Sequence, residues 1–151
     1  MRTSPAGLAL IQSLEGFKFK ASPDAKGKWS IGHGHDLLPG ESYPDGITPA
    51  EAFTLLKIDV GFAEHAIETL IHVVINQEQY DSTVSWIYNL GVHSLTTSTM
   101  LTDIDARHFT DAAQQMLIWC HQGALVTRDL LRRRCTEAVM FLTNCPTDRA
   151  A

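Results

Sequence analysis

The stretch EGFKFKASPDAKGKWSIGHGH, residues 15–35, decides the fold of this chain. It follows a helical pattern and continues as alternating apolar and polar residues with proline- and glycine-bearing turns, which is typical of a β-hairpin. Within it, Asp24 follows Glu15 by nine residues, and Ser30 follows by six more. Two carboxylates brought near one another by a strand and turn can serve as acid and base, because their surroundings can separate their proton affinities. The sequence therefore predicts an enzyme.

Helix-start signals stand on both sides of this stretch. Ser4 precedes a proline and a three-residue apolar spacing, so a first helix is predicted to begin there and to end near Glu15. Thr48 opens a capping box, and the helical pattern that follows covers residues 48–71, interrupted by Gly61. If unbroken, that helix is roughly 36 Å long at 1.5 Å per residue, too long for one side of so small a domain. We therefore expect it to join two lobes.

The remainder of the chain has a helical pattern. The predicted helices are 76–89, a short one from Ser98, 110–121 and 127–142. The predicted fold class is α+β, mostly α, with a small N-terminal lobe containing a β-hairpin and a helical C-terminal lobe joined by the long helix. We expect one domain, 1–151, in which 15–60 form the mixed catalytic lobe, 61–145 the helical lobe, and 1–14 pack near the latter.

Composition narrows the class of function. The chain has 151 residues, 44% of them hydrophobic, which is enough for a compact core without disulfides. A net charge of -5 disfavours nucleic acid as a partner. The three cysteines form no CxxC pair and are interpreted as free, packed thiols. The apolar run at 6–11 is much shorter than the roughly 20 residues that span a bilayer, so we expect no signal peptide, signal anchor or stable membrane insertion.

The stretch 15–35 resembles the catalytic segment of the phage-type lysozymes, the endolysins of glycoside hydrolase family 24. It has their Glu-x8-Asp-x5-Thr spacing, with Ser30 where threonine is usual, and it ends in Gly-x-Gly-His. Further similarities follow in order along nearly the whole chain: Ile47-Thr48 with Glu51-Ala52, Leu55-Leu56 to Asp59, Asn89-Leu90-Gly91, Ser98-Thr99-Met100-Leu101, and Arg133-Arg134 with Glu137. The resemblance implies a lysozyme-like fold.

The resemblance also implies a reaction, namely hydrolysis of the β-1,4 bond between N-acetylmuramic acid and N-acetylglucosamine in peptidoglycan, with inversion. Inversion predicts carboxyl groups about 6.5 to 9.5 Å apart. Glu15, beside apolar residues at a helix end, is the candidate acid. Asp24, in a polar turn beside Lys26, is expected to stay ionised and to orient water, and the Ser30 hydroxyl to help hold that water.

Three further residues are expected to bind substrate or support the site. Trp29 is the aromatic residue expected to line the site, while Gly32 and His35 belong to the motif that resembles the family. His33 and His35 form a His-x-His pair, but no third or fourth ligand stands at a recognisable spacing. We therefore expect neither a metal nor a cofactor, with His35 holding local structure by hydrogen bonds.

Other conspicuous residues are interpreted as structural. The spacing of three aromatic residues indicates core positions rather than sugar-stacking platforms: Trp86, Tyr88 and Trp119. Four arginines of the last helix either contact an anionic polymer or pair with acids and brace the helix, and the second interpretation is favoured: Arg128, Arg132, Arg133 and Arg134.

Two other functions stay open at this point, a lytic transglycosylase and a lysozyme-like protein that binds peptidoglycan without cutting it. The expected partner is bacterial peptidoglycan, and the expected state is a monomer. The resemblance implies accumulation in the host cytoplasm, release to the periplasm and wall through a holin, and lysis of the host cell.

Overall fold

The computed structural model describes residues 1–24, 27–123 and 125–145 of the chain. Its elements, in order, are α1 Pro5–Glu15, β1 Lys18–Pro23, β2 Trp29–Gly32, β3 His35–Asp36, α2 Pro49–Asp59, α3 Gly61–Leu70, α4 Gln77–Leu90, α5 Val92–Thr97, α6 Thr99–Asp105, α7 Phe109–Ile118, β4 His121–Gln122, β5 Leu125–Val126 and α8 Arg128–Leu142. The fold is α+β and mostly α, which confirms the predicted class. No helix in the described part of the chain combines the length and apolar character needed to cross a membrane.

The chain divides into two compact units. One, which we call the sheet unit, is Leu8–Gly61, and the other, the helical unit, is Met1–Gly7 with Phe62–Ala151. One boundary therefore lies within α1, and the other directly precedes Phe62. The predicted catalytic residues all belong to the sheet unit.

The first helix begins and ends where the sequence predicts. Ser4 caps it, since its Oγ accepts hydrogen bonds from the amides of Ala6 at 3.1 Å and Gly7 at 3.2 Å. The amide of Ser4 itself donates to Asp81 Oδ1 at 2.9 Å. A Cβ at position 7 would lie 2.6 Å from the Asp81 side chain, so only glycine permits this approach between α1 and α4.

The predicted hairpin is present and carries a third strand. β1 and β2 pair antiparallel, with Lys18 opposite Gly32, Ser22 opposite Ser30, and an irregularity in β1 between these two pairs. The two-residue strand β3 then pairs with β2. On one face of this sheet, Ile31 is fully buried in a small core against α2.

The long helix predicted over 48–71 is two helices. The capping box at Thr48 is confirmed, because Thr48 and Glu51 exchange the two reciprocal hydrogen bonds that define it. However, α2 ends at Asp59, Val60 forms a turn, and α3 starts at Gly61. Glycine within a helix costs about 1 kcal/mol relative to alanine, and the chain breaks its helix next to that residue.

In the helical unit, α8 packs against α4 and α7. The second predicted capping box, between Asn76 and Gln79, opens α4. Trp86 on α4 is fully buried and contacts Trp119 edge to face, with ring centroids 5.5 Å apart. These contacts confirm the structural interpretation of the two tryptophans.

Two of the four arginines predicted to brace the last helix do so. Arg133 Nε donates to Glu137 Oε1 at 3.1 Å, and Arg134 Nε lies 3.2 Å from Glu137 Oε2, with all three side chains buried. Arg128 and Arg132 are exposed. The favoured interpretation is therefore confirmed for Arg133 and Arg134.

Two local predictions are wrong, and one helix was not predicted. The predicted helix 110–121 ends at Ile118, and the two-stranded sheet of β4 and β5 follows where continuous helix was expected. Gly123, with φ of +61°, supplies the left-handed turn conformation for this hairpin. The helix α5 was not predicted, and Cys135 is exposed rather than packed, although Cys120 is buried.

Candidate active site

Glu15 lies at the C-terminal end of α1, and its side chain is half-buried. The next residue, Gly16, has φ of +71°, which lets the chain leave the helix abruptly and enter β1. The amide of Gly16 still donates to the Gln12 carbonyl at 3.0 Å, so the helical hydrogen bonding continues just past the glutamate. The backbone on both sides of Glu15 is therefore fixed.

A second contact to this helix end comes from His33, to which the sequence assigned no role. His33 is buried, its Nδ1 is hydrogen-bonded to the Gly16 carbonyl, and its Nε2 lies 3.0 Å from Gln12 Nε2. A carbonyl oxygen can only accept, so Nδ1 carries the hydrogen and Nε2 accepts from the Gln12 amide. The ring also packs against Phe17, with centroids 5.7 Å apart. His33 thereby ties the turn after Glu15 to the sheet.

Asp24 lies in the exposed turn between β1 and β2. Its Oδ1 accepts a hydrogen bond from the amide of Lys28 at 2.9 Å, while its own amide donates to the Lys28 carbonyl at 2.8 Å. These bonds close the turn and fix the direction of the carboxylate. Lys26, which the sequence analysis placed beside Asp24, lies outside the described residues.

Ser30 is half-buried on β2, and its Oγ has a partner that the sequence analysis missed. Lys18 Nζ donates to Ser30 Oγ at 2.9 Å across the β1–β2 pair. Lys18 is directly opposite Gly32, which makes Ser30 its diagonal neighbour on the same face. The register of the hairpin could have indicated this pair, but the irregularity within β1 makes the register unreadable from sequence alone.

Trp29 and Gly32 occupy different positions relative to Ser30. Neighbouring residues of a strand point to opposite faces, so Trp29 shares the face of the buried Ile31, and Ser30 lies on the other face. Trp29 is nevertheless half exposed, and its role in binding substrate stays a prediction. Gly32 has φ of +63°, and a Cβ there would lie 3.0 Å from Ala52 Cβ, so glycine allows α2 to approach the sheet.

His35 joins three segments of the sheet unit. Its Nδ1 lies 3.0 Å from both carboxylate oxygens of Asp59, at the end of α2, and its Nε2 lies 3.0 Å from Glu41 Oε2. Ionised carboxylates only accept hydrogen bonds, so the doubly protonated imidazolium satisfies both contacts. Burial lowers the pKa of His35, but the hydrogen bonds and negative charges of Glu41 and Asp59 outweigh it and raise that pKa overall.

The two carboxyl groups respond differently to their surroundings. Burial raises the pKa of Asp59, and the hydrogen bond to His35 offsets this only in part. The Leu38 amide, donating to Glu41 at 2.8 Å, and then His35 lower the pKa of Glu41. Glu41, whose pKa is lowered, is therefore the carboxylate of the two that more readily stays ionised beside protonated His35.

Within residues 1–24, 27–123 and 125–145, no group of three or more His, Cys, Asp or Glu side chains is arranged to hold a metal ion. The nitrogens of His33 and His35 are directed to protein atoms, as described above.

The sheet unit thus provides three groups with complementary chemistry. Glu15 is a half-buried carboxyl group at a rigid helix end, Asp24 is an exposed carboxylate in a closed turn, and Ser30 is a hydroxyl on the strand that follows. A carboxyl group that can give a proton and a carboxylate that can orient water are the requirements of glycosidic-bond hydrolysis. The assignment of catalytic roles to these groups stays a prediction; the sequence did not indicate the contacts of Lys18 with Ser30 or of His33 with the turn after Glu15.

Comparisons with known proteins match most of the chain. A family model described as phage lysozyme matches residues 12–137. The endolysin of Salmonella phage P22 is 35% identical over 149 residues, covering 95% of this chain and 99% of that protein. The endolysin of Bacillus phage B103 is 36% identical over 149 residues, again 95% of this chain, but the chain spans only 55% of that protein's length.

Solved structures give the same picture of the fold. The muramidase domain of SpmX from Asticaccaulis excentricus superimposes with a TM-score of 0.86 and is 33% identical. The match covers 93% of this chain and 97% of that domain. The likeness therefore includes both the sheet unit and the helical unit.

Proposed function

The chain belongs to the phage lysozyme family and is a lysozyme-type glycoside hydrolase, and from that premise we propose that it cleaves peptidoglycan as an endolysin. The scissile bond in this proposal is the β-1,4 linkage between N-acetylmuramic acid and N-acetylglucosamine. The name of the P22 relative and the muramidase name of the SpmX domain support it.

The positions of three residues support assigning the reaction to them. Glu15, Asp24 and Ser30 fall within the matched region 12–137, and the hairpin places them on three consecutive structural features, a helix end, a turn and a strand. Glu15 is half-buried and Asp24 is exposed, and this difference in exposure supports assigning the acid role to Glu15 and the water-orienting role to Asp24.

In the proposed reaction, Glu15 protonates the glycosidic oxygen as the bond to the leaving sugar breaks. Asp24 accepts a proton from a water molecule that attacks the anomeric carbon from the opposite face, and the Ser30 hydroxyl helps hold that water. Attack from the opposite face inverts the configuration at this carbon. Proton NMR of the first-formed reducing ends tests this, because inversion yields the α anomer and retention the β anomer.

Removing the acid tests the assignment of the reaction to this site. Glu15→Gln keeps the size of the side chain but cannot donate the proton, so we expect the release of reducing ends from purified peptidoglycan to fall below detection. Asp45→Asn is a matched control, since it makes the same chemical change in an exposed loop of the sheet unit. Full activity in a folded Glu15→Gln variant would show that another group acts as the acid.

Product masses separate this reaction from the two other functions. Hydrolysis adds one water per bond cleaved, whereas a lytic transglycosylase forms an anhydro sugar without water. A protein that binds the wall without cutting it releases no muropeptides. We propose the hydrolase because two carboxylic residues are present, and the transglycosylase reaction uses a single acid.

We also propose that the enzyme acts as a monomer, accumulates folded in the host cytoplasm and reaches the wall with the help of a holin. The family resemblance supports this route. It is tested by expressing the chain in bacteria with and without a holin, where lysis is expected only when the holin is present. Lysis without one would contradict the route and leave the proposed bond specificity unaffected.

A further inference from the structure

The contact between Lys18 and Ser30 suggests a role for a residue outside the proposed catalytic set. The hydroxyl oxygen of Ser30 can take three staggered positions about the Cα–Cβ bond, because serine has no second heavy atom on Cβ to restrict them. In the structure, one of those positions places Oγ 2.9 Å from Lys18 Nζ. The lysine is therefore the described neighbour that selects this position.

The architecture of the hairpin makes room for this contact. Lys18 stands directly opposite Gly32, and its stem reaches across the strand pair to its diagonal neighbour Ser30. Position 32 requires glycine, because its φ is positive and because Ala52 approaches it closely.

The direction of the hydrogen bond determines what the hydroxyl can still do. An ammonium group only donates, so it occupies one of the two acceptor positions of Ser30 Oγ. The hydroxyl hydrogen and the second acceptor position remain for another partner. We propose that Lys18 is a positioning residue that fixes the Ser30 hydroxyl so that it can hold the attacking water, an inference that rests on the proposed hydrolase function.

A double-mutant cycle tests the inference. Lys18→Met keeps the apolar stem without the ammonium group, and Ser30→Thr adds a methyl group that restricts the hydroxyl without help from lysine. In the Ser30 background, Lys18→Met should lower kcat about three- to tenfold, the effect of one lost hydrogen bond, with KM nearly unchanged. In the Ser30→Thr background, the same change should lower kcat less than about twofold, because the threonine methyl group compensates.

Two controls accompany the cycle. Lys20→Met removes an equivalent positive charge from the same strand and should leave kcat unchanged, which separates positioning from a general charge effect. Lys18→Arg retains a donor and should recover most of the activity. Kinetics on soluble, uncrosslinked peptidoglycan fragments give kcat and KM separately, and thermal unfolding verifies that every variant is folded.

The outcomes distinguish this inference from the function on which it rests. An equal loss of kcat in both backgrounds, or no loss in either, would overturn the role of Lys18 while leaving the hydrolase proposal intact. A loss confined to KM would likewise overturn it, because it would indicate that Lys18 binds substrate rather than positions the hydroxyl. A wild-type chain that releases no reducing ends would contradict the proposed function and this inference together.

Discussion

At the scale of single residues, each of the proposed catalytic groups is fixed by a different kind of contact. Glu15 is held through its backbone, since His33 and Gln12 anchor the turn at Gly16. Asp24 is held through one carboxylate oxygen, which accepts a hydrogen bond from a backbone amide in its own turn. The positions of the proposed catalytic groups thus depend on neighbouring residues outside the proposed catalytic set.

The hydroxyl of Ser30 gives a prediction that does not depend on Lys18. Ser30→Ala removes the group that holds water in the proposed reaction, and we expect kcat to fall on the order of 10- to 100-fold, as for a misplaced reactant. Ser30→Thr retains the hydroxyl and should stay within about threefold of wild type. Equal kcat for wild type and Ser30→Ala, measured as released reducing ends, would remove the serine from the mechanism.

His35 predicts how stability depends on pH. Its pKa is raised in the folded protein, so the folded state binds a proton more tightly than the unfolded chain does. This contribution is complete below the ordinary histidine pKa of about 6.5 and is lost as pH rises through the raised value. Wild type should therefore lose stability on going from about pH 6 into the mildly alkaline range, in part because His35 loses its proton.

Comparison with a variant isolates that contribution from the other titrating groups. His35→Gln cannot gain the charge, so the difference in unfolding free energy between wild type and variant should shrink as pH rises from about 6 to 8.5. Urea unfolding at several pH values measures that difference. A difference that stays constant or grows over this range would contradict the role assigned to the imidazolium between Glu41 and Asp59.

At the scale of elements, a buried ionic group holds α8 against α4. Glu137 on α8 is fully buried and accepts a hydrogen bond from Ser85 Oγ of α4 at 2.7 Å. Arg133 and Arg134 bring two positive charges to the same carboxylate, and Arg134 Nη2 also donates to Asn89 Oδ1 of α4 at 2.7 Å. The packing of α8 against α4 therefore depends on these buried charges neutralising one another, because none of them is solvated by water.

Breaking this group should be costly to stability. Glu137→Gln leaves two buried guanidinium groups without their carboxylate, and removing one partner of a buried ion pair costs about 3–5 kcal/mol. Glu68→Gln is a suitable control, because Glu68 is about half exposed, and its substitution should change stability by less than about 0.5 kcal/mol. Urea unfolding compares the two variants, and similar stabilities would show that the buried group is not needed to hold α8.

Helix starts were the most predictable elements, for a physical reason. Each cap is a local exchange of hydrogen bonds between residues three apart, so Thr48 and Asn76 specify their helices with no help from the rest of the chain. The two-residue strands β3, β4 and β5 carry no such signal, because a pair of residues has no period to detect. The break at Val60 was indicated only by the neighbouring glycine.

At the scale of the whole molecule, the sequence identified the type of enzyme better than it identified the supporting contacts. Glu15, Asp24 and Ser30 could be proposed as catalytic residues because their residue types and spacing form one continuous motif. Lys18 and His33 could not, because their roles depend on strand register and on a buried turn, which are properties of the folded chain. The contact of Asp59 with His35 could not be predicted either, because the two residues are 24 positions apart in sequence and only the fold brings them together.

We predict that this enzyme hydrolyses a muramic acid linkage and that the reaction depends on Glu15. The most direct test is mass spectrometry of the products from purified peptidoglycan, with wild type and Glu15→Gln at equal concentrations of folded protein. For wild type we expect muropeptides with one added water and N-acetylmuramic acid at the reducing end, and for Glu15→Gln no soluble product. Anhydro products, N-acetylglucosamine at the reducing end, or undiminished release by Glu15→Gln would contradict it.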